Sequence, residues 1–210
     1  MSKRIIITIG RQFGSGGREI GKKLADALGI AYYDKEILEV AARESGLNRE
    51  VFEQADEKTS SALAYALSMG FAYFGSPMPE NNFLTKEGIF KIQSDTILGL
   101  AERDSCVIVG RCADYILRDN PALISFFISD TIPNRILRIV NSSNVSVEEA
   151  KEQIVKVDKS RAAYYNYYTD KRWGAASSYH LCMDVSVLGV DRTVAYLKSF
   201  VEEAAVLRNS

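Results

Sequence analysis

Hydrophobic and polar positions alternate along this chain with two different periods, and the switches between them mark out an α/β protein. Ile5, Ile6, Ile7 and Ile9 make a short β-branched run that reads as a buried strand. After the glycine-rich turn that follows, Ile20, Leu24, Ala25 and Leu28 share one face at helical spacing. Further strands are expected at residues 29–33, 105–109, 122–128 and 181–187. Pro133 suits the first turn of a helix whose apolar face is Ile136, Leu137, Ile139 and Val140. Ser146 and Glu149 have the spacing of a capping box at the start of another helix. Asp191 is placed to cap a last helix that turns Val194, Leu197, Val201 and Ala204 inward. Strands separated by amphipathic helices predict a parallel sheet covered by helices.

Between the second and third strands the pattern is helical from about Glu36 to Arg103, with a break at residues 75–82 where prolines and asparagines mark a loop. Ile89, Phe90, Ile92, Ile97, Leu100 and Ala101 fall on one half of a helical wheel and predict a packed face. This passage reads as an insertion in which a second substrate is gripped. A chain of 210 residues then suits one α/β domain, residues 1–210, with the insert at about 36–104.

The first turn carries the clearest chemistry. It reads Gly10-Arg11-Gln12-Phe13-Gly14-Ser15-Gly16-Gly17-Arg18-Glu19 and joins a strand to a helix. In that context backbone N–H groups and a helix N-terminus cradle phosphate, and glycines leave room for it. A bare tight turn is the plainer alternative. The standard phosphate loop is G-x-x-x-x-G-K-[ST], with the lysine on the outer phosphates. Here Gly17 holds the lysine position, Arg18 follows it, and Glu19 comes next. Arg18 offers a planar fork in place of a point charge.

Other candidates stand at the carboxyl ends of the expected strands, where open α/β sheets bind ligands. Asp34 either caps the next helix or faces the phosphate loop. Arg111 either meets a phosphate or pairs with Asp114 or Asp34. Lys159, Arg161, Lys171 and Arg172 are interleaved with Tyr164, Tyr165, Tyr167, Tyr168 and Trp173. They make a solvated helix face or a segment that closes over a triphosphate. The tyrosines stack a base, pack against the body or meet a second copy in a homodimer.

Composition narrows the field. With 26 basic and 27 acidic residues the net charge is −1, and no bulk electrostatics draw the chain to nucleic acid. Cys106, Cys112 and Cys182 are widely spaced, which fits a reducing cytosol better than disulfides or zinc. His180 is the single histidine and is expected to be a partly buried packing residue; a serine–histidine hydrolase and a histidine metal site are disfavoured. No apolar run reaches membrane-spanning length and the start lacks a signal-peptide core, so a cytoplasmic protein with no membrane partner is expected.

Taken in order, the stretch from Gly14 to Ala25, Tyr33-Asp34-Lys35-Glu36, Val109-Gly110-Arg111-Cys112-Ala113-Asp114, Asp158-Lys159-Ser160-Arg161, Trp173 and Leu188-Gly189-Val190-Asp191 resemble the cytidylate kinase-like family. The resemblance implies a P-loop kinase fold: a five-stranded parallel sheet in the order 2-3-1-4-5, flanked by helices, with a helical insert and a lid at about residues 155–179. It implies phosphoryl transfer from ATP, with Mg2+, to a cytidylate-type nucleotide (CMP or dCMP). Gly14, Ser15, Gly16, Gly17, Arg18 and Glu19 would then hold the ATP phosphates, with Arg18 standing in for the lysine. Asp34 is the candidate for magnesium or acceptor contact, Arg111 for the acceptor phosphate, and Lys159 and Arg161 for the lid. The chain departs from the family pattern at Gly17 and at Val109 and Cys112, which replace acidic residues. Two other readings stay open: a nucleotide-binding regulator that has lost catalysis, and a kinase for another small hydroxyl substrate.

Overall fold

In chain order the computed structural model, which describes residues 4–34 and 86–207, contains β1 (Ile6–Arg11), α1 (Gly17–Leu28), β2 (Ala31–Tyr33), α2 (Lys86–Arg103), β3 (Cys106–Val109), α3 (Ala113–Ile116), β4 (Leu123–Ser129), α4 (Ile132–Ser143), α5 (Val147–Thr169), a 3-10 turn (Ala176–Ser178), β5 (Leu181–Asp184) and α6 (Val185–Leu207). The chain divides into two compact units, Met1–Asp34 with Arg103–Ser210, and Lys35–Glu102.

In the first unit the strands form one sheet in the order β2-β3-β1-β4-β5. All its pairings are parallel, with Ile6 in register with Cys106 on one side and Leu123 on the other. That is the expected order. Ile7, Ile9, Val107, Val109, Ile124, Phe126 and Ile128 bury one continuous layer with Ile20, Leu24 and Ala25 of α1 and Leu197 and Val201 of α6. Each fully buried side chain of this size contributes about 1.5–3 kcal/mol by leaving water. Gly29 ends α1 in a left-handed conformation (φ 65°), and its N–H returns to the carbonyls of Ala25 and Asp26. That Schellman-type stop lets the chain reverse into β2.

Three expectations are corrected. The fifth strand stops at Asp184, because pairing with β4 ends at Ser129 and the Asp184 carboxylate accepts the Ser186 N–H at 2.9 Å, which starts a helix. Residues 185–187 are therefore helical. Asp191 lies within that helical run, which is broken at Gly189 (φ 70°, ψ 174°), and its carboxylate takes Lys23 Nζ at 2.7 Å. On α4, Leu137 is 60% exposed while Arg135 is buried, so a charged residue occupies the inner face.

The capping box is present: Ser146 Oγ accepts the Glu149 N–H at 3.2 Å and the Glu149 carboxylate accepts the Ser146 N–H at 2.8 Å. In the second unit α2 is helical as expected, with Ile97, Leu100 and Ala101 buried. The side chains of Ile89 and Ile92, and the loop expected at 75–82, lie outside the described residues. Among the described residues no helix is long and apolar enough to cross a membrane.

Candidate active site

The site is assembled where β1, β2 and β3 end. Residues 12–16 turn β1 into α1, and Gly14 (φ 76°) and Gly16 (φ 82°) adopt left-handed backbone that suits glycine. Gly14 has a second constraint, since a Cβ there would lie 2.8 Å from Ile139 Cδ1 and 2.9 Å from the Arg135 carbonyl. Ser15 is fully buried; its hydroxyl donates to the Gln12 carbonyl at 2.9 Å and accepts the Gly17 N–H at 3.4 Å.

Successive carbonyls of this turn are held from behind. Arg161 Nη1 donates to the Arg11 carbonyl at 2.9 Å, Ser15 to that of Gln12, Arg135 Nε to that of Phe13 at 2.7 Å, and Arg138 Nη1 to that of Gly14. Asp158 pairs with Arg135 and accepts the Phe13 N–H at 2.8 Å. Asp130, buried at the end of β4, pairs with Arg138 at 3.1 Å. The oxygens that would repel an anion are thus engaged. The amides of Gly14, Gly16, Arg18 and Glu19 donate to no described residue, and two of them belong to the open first turn of α1. Donors left over at a helix N-terminus attract phosphate.

In front of the turn lies Asp34, buried just past β2. Its Oδ2 pairs with Arg18 Nε, and its Oδ1 lies 4.0 Å from Arg11 Nη2. One carboxylate therefore serves two guanidiniums. The Arg11 stem passes over Gly17, where a Cβ would come within 2.6 Å of Arg11 Cβ, and its guanidinium rests on Gly110.

Beyond Gly110, Arg111 (φ 62°) and Cys112 (φ 53°) are both left-handed and buried. Non-glycine residues held this way cost on the order of 1–3 kcal/mol each and cluster at functional sites. Burial pushes the thiols of Cys106 (to about 12) and Cys112 upward, as it does the Tyr164 hydroxyl, and the Arg111 charge opposes the shift at Cys112 and Tyr164. Burial also raises the Asp114 carboxyl, against a hydrogen bond from the Tyr165 hydroxyl at 2.6 Å. Tyr165 and Tyr179 are buried and stacked at 6.0 Å, Trp173 meets Phe127 at 5.2 Å, and Tyr167 is exposed.

Of the residues singled out from the sequence, the structure brings Gly14, Ser15, Gly16, Gly17, Arg18 and Asp34 together, with Arg161 behind them. Arg111 is on the adjoining strand end, where the Gly110 N–H binds the Ile9 carbonyl at 3.0 Å. Glu19 contributes its amide alone, since its carboxylate pairs with Lys23 at 2.9 Å. Lys159 is exposed and joins none of these contacts. The helix that Asp34 was expected to cap lies outside the described residues. His180 is exposed, not partly buried, and its Nδ1 accepts the Ser125 N–H at 2.9 Å. Sequence reasoning missed Arg11, Asp130, Arg135, Arg138 and Asp158. Arg11 alone had a local signal, a charged residue at the end of an otherwise apolar strand.

A magnesium ion does not fit the described residues as they stand. Asp34 is engaged by Arg18 and Arg11, Arg18 occupies the position of the motif's hydroxyl, and Ser15 Oγ is spent inside the turn. No group of three metal-ligating side chains occurs among the described residues.

A model of the cytidylate kinase-like family matches residues 6–187. The chain belongs to this family. Among solved structures, an uncharacterized protein from Eubacterium ventriosum ATCC 27560 is 30% identical, with 95% of this chain and 99% of that one covered and a TM-score of 0.70. Shikimate kinase from Acinetobacter baumannii, solved with shikimate, is 12% identical over 96% of this chain and 95% of its own, with a TM-score of 0.52. The shikimate kinase from Bacteroides thetaiotaomicron is 14% identical over 94% and 98%, with a TM-score of 0.53. These kinases share the fold, and the family member described here has a P-loop kinase fold. No curated protein sequence matches the chain.

Proposed function

We propose that this member of the cytidylate kinase-like family is an ATP-dependent phosphotransferase acting on a cytidylate-type nucleotide. The observation that carries the reading is the phosphate turn, with its carbonyls held from behind and the amides of Gly14, Gly16, Arg18 and Glu19 left for an anion. An oxygen of the acceptor phosphate would form a bond to the γ-phosphorus of ATP while the bond to the β–γ bridging oxygen breaks, leaving ADP and a nucleoside diphosphate. Such a transfer needs alignment and charge neutralisation, and no nucleophilic side chain. The turn binds the donor, Arg111 meets the acceptor phosphate, and Arg18 and Asp34, paired with each other, complete the site. Lys159 and Arg161 belong to a segment, residues 155–179, that tightens when both nucleotides are bound.

Two observations favour other readings. The poor fit to magnesium supports a nucleotide-binding regulator without turnover, and the fold shared with shikimate kinases supports a small hydroxyl acceptor. A screen of ATP turnover with magnesium against nucleosides, nucleoside monophosphates and small alcohols separates the three. Turnover dependent on CMP or dCMP is expected. ATP binding with no acceptor-dependent turnover would sink the enzyme and leave the regulator.

A further inference from the structure

Laying the phosphate-loop motif on this chain from its second glycine, Gly16, puts two exchanges side by side. The motif's first glycine position, five residues earlier, holds Arg11, and its lysine position holds Gly17. The structure explains why they come as a pair. A Cβ on Gly17 would lie 2.6 Å from Arg11 Cβ and 3.1 Å from Arg11 Cγ. No lysine fits while the Arg11 stem is there, and the stem has its path because position 17 is bare. The cation has moved from the helix to the strand, and its side chain runs through the space that the lysine stem would need.

From that origin Arg11 reaches forward. It is only 9% exposed, and its guanidinium rests on Gly110, where a Cβ would come within 2.9 Å of Cζ. Gly110 itself (φ 79°) leads directly into Arg111. The nearest carboxylate oxygen of Asp34 is 4.0 Å away, and the other oxygen is taken by Arg18. A buried guanidinium with half a counter-charge is an expensive arrangement unless an anion completes it. Arg18 is half exposed and already in close contact with Asp34, so it is the weaker candidate for that role.

We infer that Arg11 is the phosphate-neutralising cation of this site, performing from β1 the task that a P-loop lysine performs from the helix. The inference rests on the phosphate-site reading above and adds to it the residue and the direction from which charge is supplied. It also assigns Arg18 a positioning role: by holding Asp34 it keeps that carboxylate from neutralising Arg11 fully.

The test is an exchange back to the standard motif, read as inorganic pyrophosphate and ATP affinity by calorimetry. Wild-type protein is expected to bind both; if it binds neither, the phosphate site and the inference both fall. Arg11→Met should weaken pyrophosphate by about 10- to 150-fold, the range of one charge-assisted hydrogen bond lost. Gly17→Lys alone should also weaken it, because the new stem collides with Arg11. The double variant Arg11→Gly with Gly17→Lys should bind pyrophosphate better than either Arg11→Gly or Gly17→Lys alone. Losses that simply add in the double variant, or an Arg11→Met protein with wild-type affinity, would overturn the assignment while leaving the phosphate site intact. Should Arg11→Met fail to fold, NMR of the wild-type arginine Nε–Hε groups decides. The Arg11 signal, assigned by its disappearance in Arg11→Lys, should shift on addition of pyrophosphate. A binding curve without that shift would equally overturn the inference.

Discussion

Behind the phosphate turn, Arg135 and Arg138 each face a carboxylate of their own, Asp158 and Asp130. In front of it, Arg11 and Arg18 share Asp34. The residues are the same on both sides, but the balance is not. Behind, these two charges are each answered, and N–H groups of both arginines hold backbone carbonyls; they are part of the scaffold. In front, a net positive charge stands in a partly buried place beside amides that donate to nothing described. Unanswered charge beside unengaged amides suits an anionic ligand. Counting carboxylates per guanidinium thus separates four arginines that composition treats alike.

The comparison breaks most visibly at Arg135. Arg135→Ala removes the partner of Asp158 and the donor to the Phe13 carbonyl together, and Asp158 is only 17% exposed. Stranding one member of a buried pair is expected to lower stability by about 3–5 kcal/mol. Urea unfolding should show a lower midpoint with an unchanged slope. A loss below about 1 kcal/mol, the range of a surface ion pair, would mean that the rear arginines are not scaffold at all.

The fold was legible in the sequence to a greater depth than this pairing. Ile6, Ile7 and Ile9 announce β1 by themselves, because a strand buried on both faces must be apolar throughout. The sheet order came through the resemblance carried by Gly14 to Ala25 and by the Gly110-Arg111 pair, and the structure bears it out. The end of β5 was not legible. The run through Val185 and Val187 suits a strand or a helix equally, and the decision lies in the Asp184 carboxylate and in where β4 stops. Arg135 was hidden for a similar reason. Helical spacing marks Leu137 as apolar, but it cannot show that Arg135 finds Asp158 twenty-three residues later on another helix. The Arg11–Gly17 exchange was written in the motif, yet it becomes visible only when both ends of the motif are read together.

Arg111 sharpens the front of the site. It follows β3, the strand next to β1, and the proposed reaction assigns it to the acceptor phosphate. Arg111→Ala should weaken CMP by about 1.5–3 kcal/mol per charge-assisted hydrogen bond lost, with ATP affinity nearly unchanged. Titrations of both nucleotides against the variant check this. Equal weakening of the two would place Arg111 on the donor side and merge the two subsites.

A smaller effect of opposite sign is expected from Asp34→Asn. If the front charge is held for an anion, removing the carboxylate that Arg11 and Arg18 share among the described residues should tighten pyrophosphate. Arg18 is half exposed and water screens it, so the gain is of order 1 kcal/mol and should shrink in high salt. Asp158→Asn is the control. It should destabilise the protein without tightening pyrophosphate. Identical behaviour of the two variants would erase the distinction between front and back.

Asp114 supplies the remaining case, a buried carboxylate that no guanidinium among the described residues pairs with. Burial raises its pKa, the Tyr165 hydroxyl at 2.6 Å and the more distant Lys171 charge oppose the rise, and burial prevails. A carboxyl whose folded pKa lies above its unfolded value, about 4 for aspartate, binds its proton more tightly in the native state. Its contribution to stability is full below the unfolded pKa and is lost as pH rises through the folded one. Relative to Asp114→Asn, the wild type should therefore lose stability as pH increases from about 4, and the difference should level off once the folded carboxyl is ionised. Denaturation midpoints of the two proteins across that range measure it. A difference that grows in favour of the wild type as pH rises would show that a cation answers Asp114, which would move it into the class of Asp130 and Asp158.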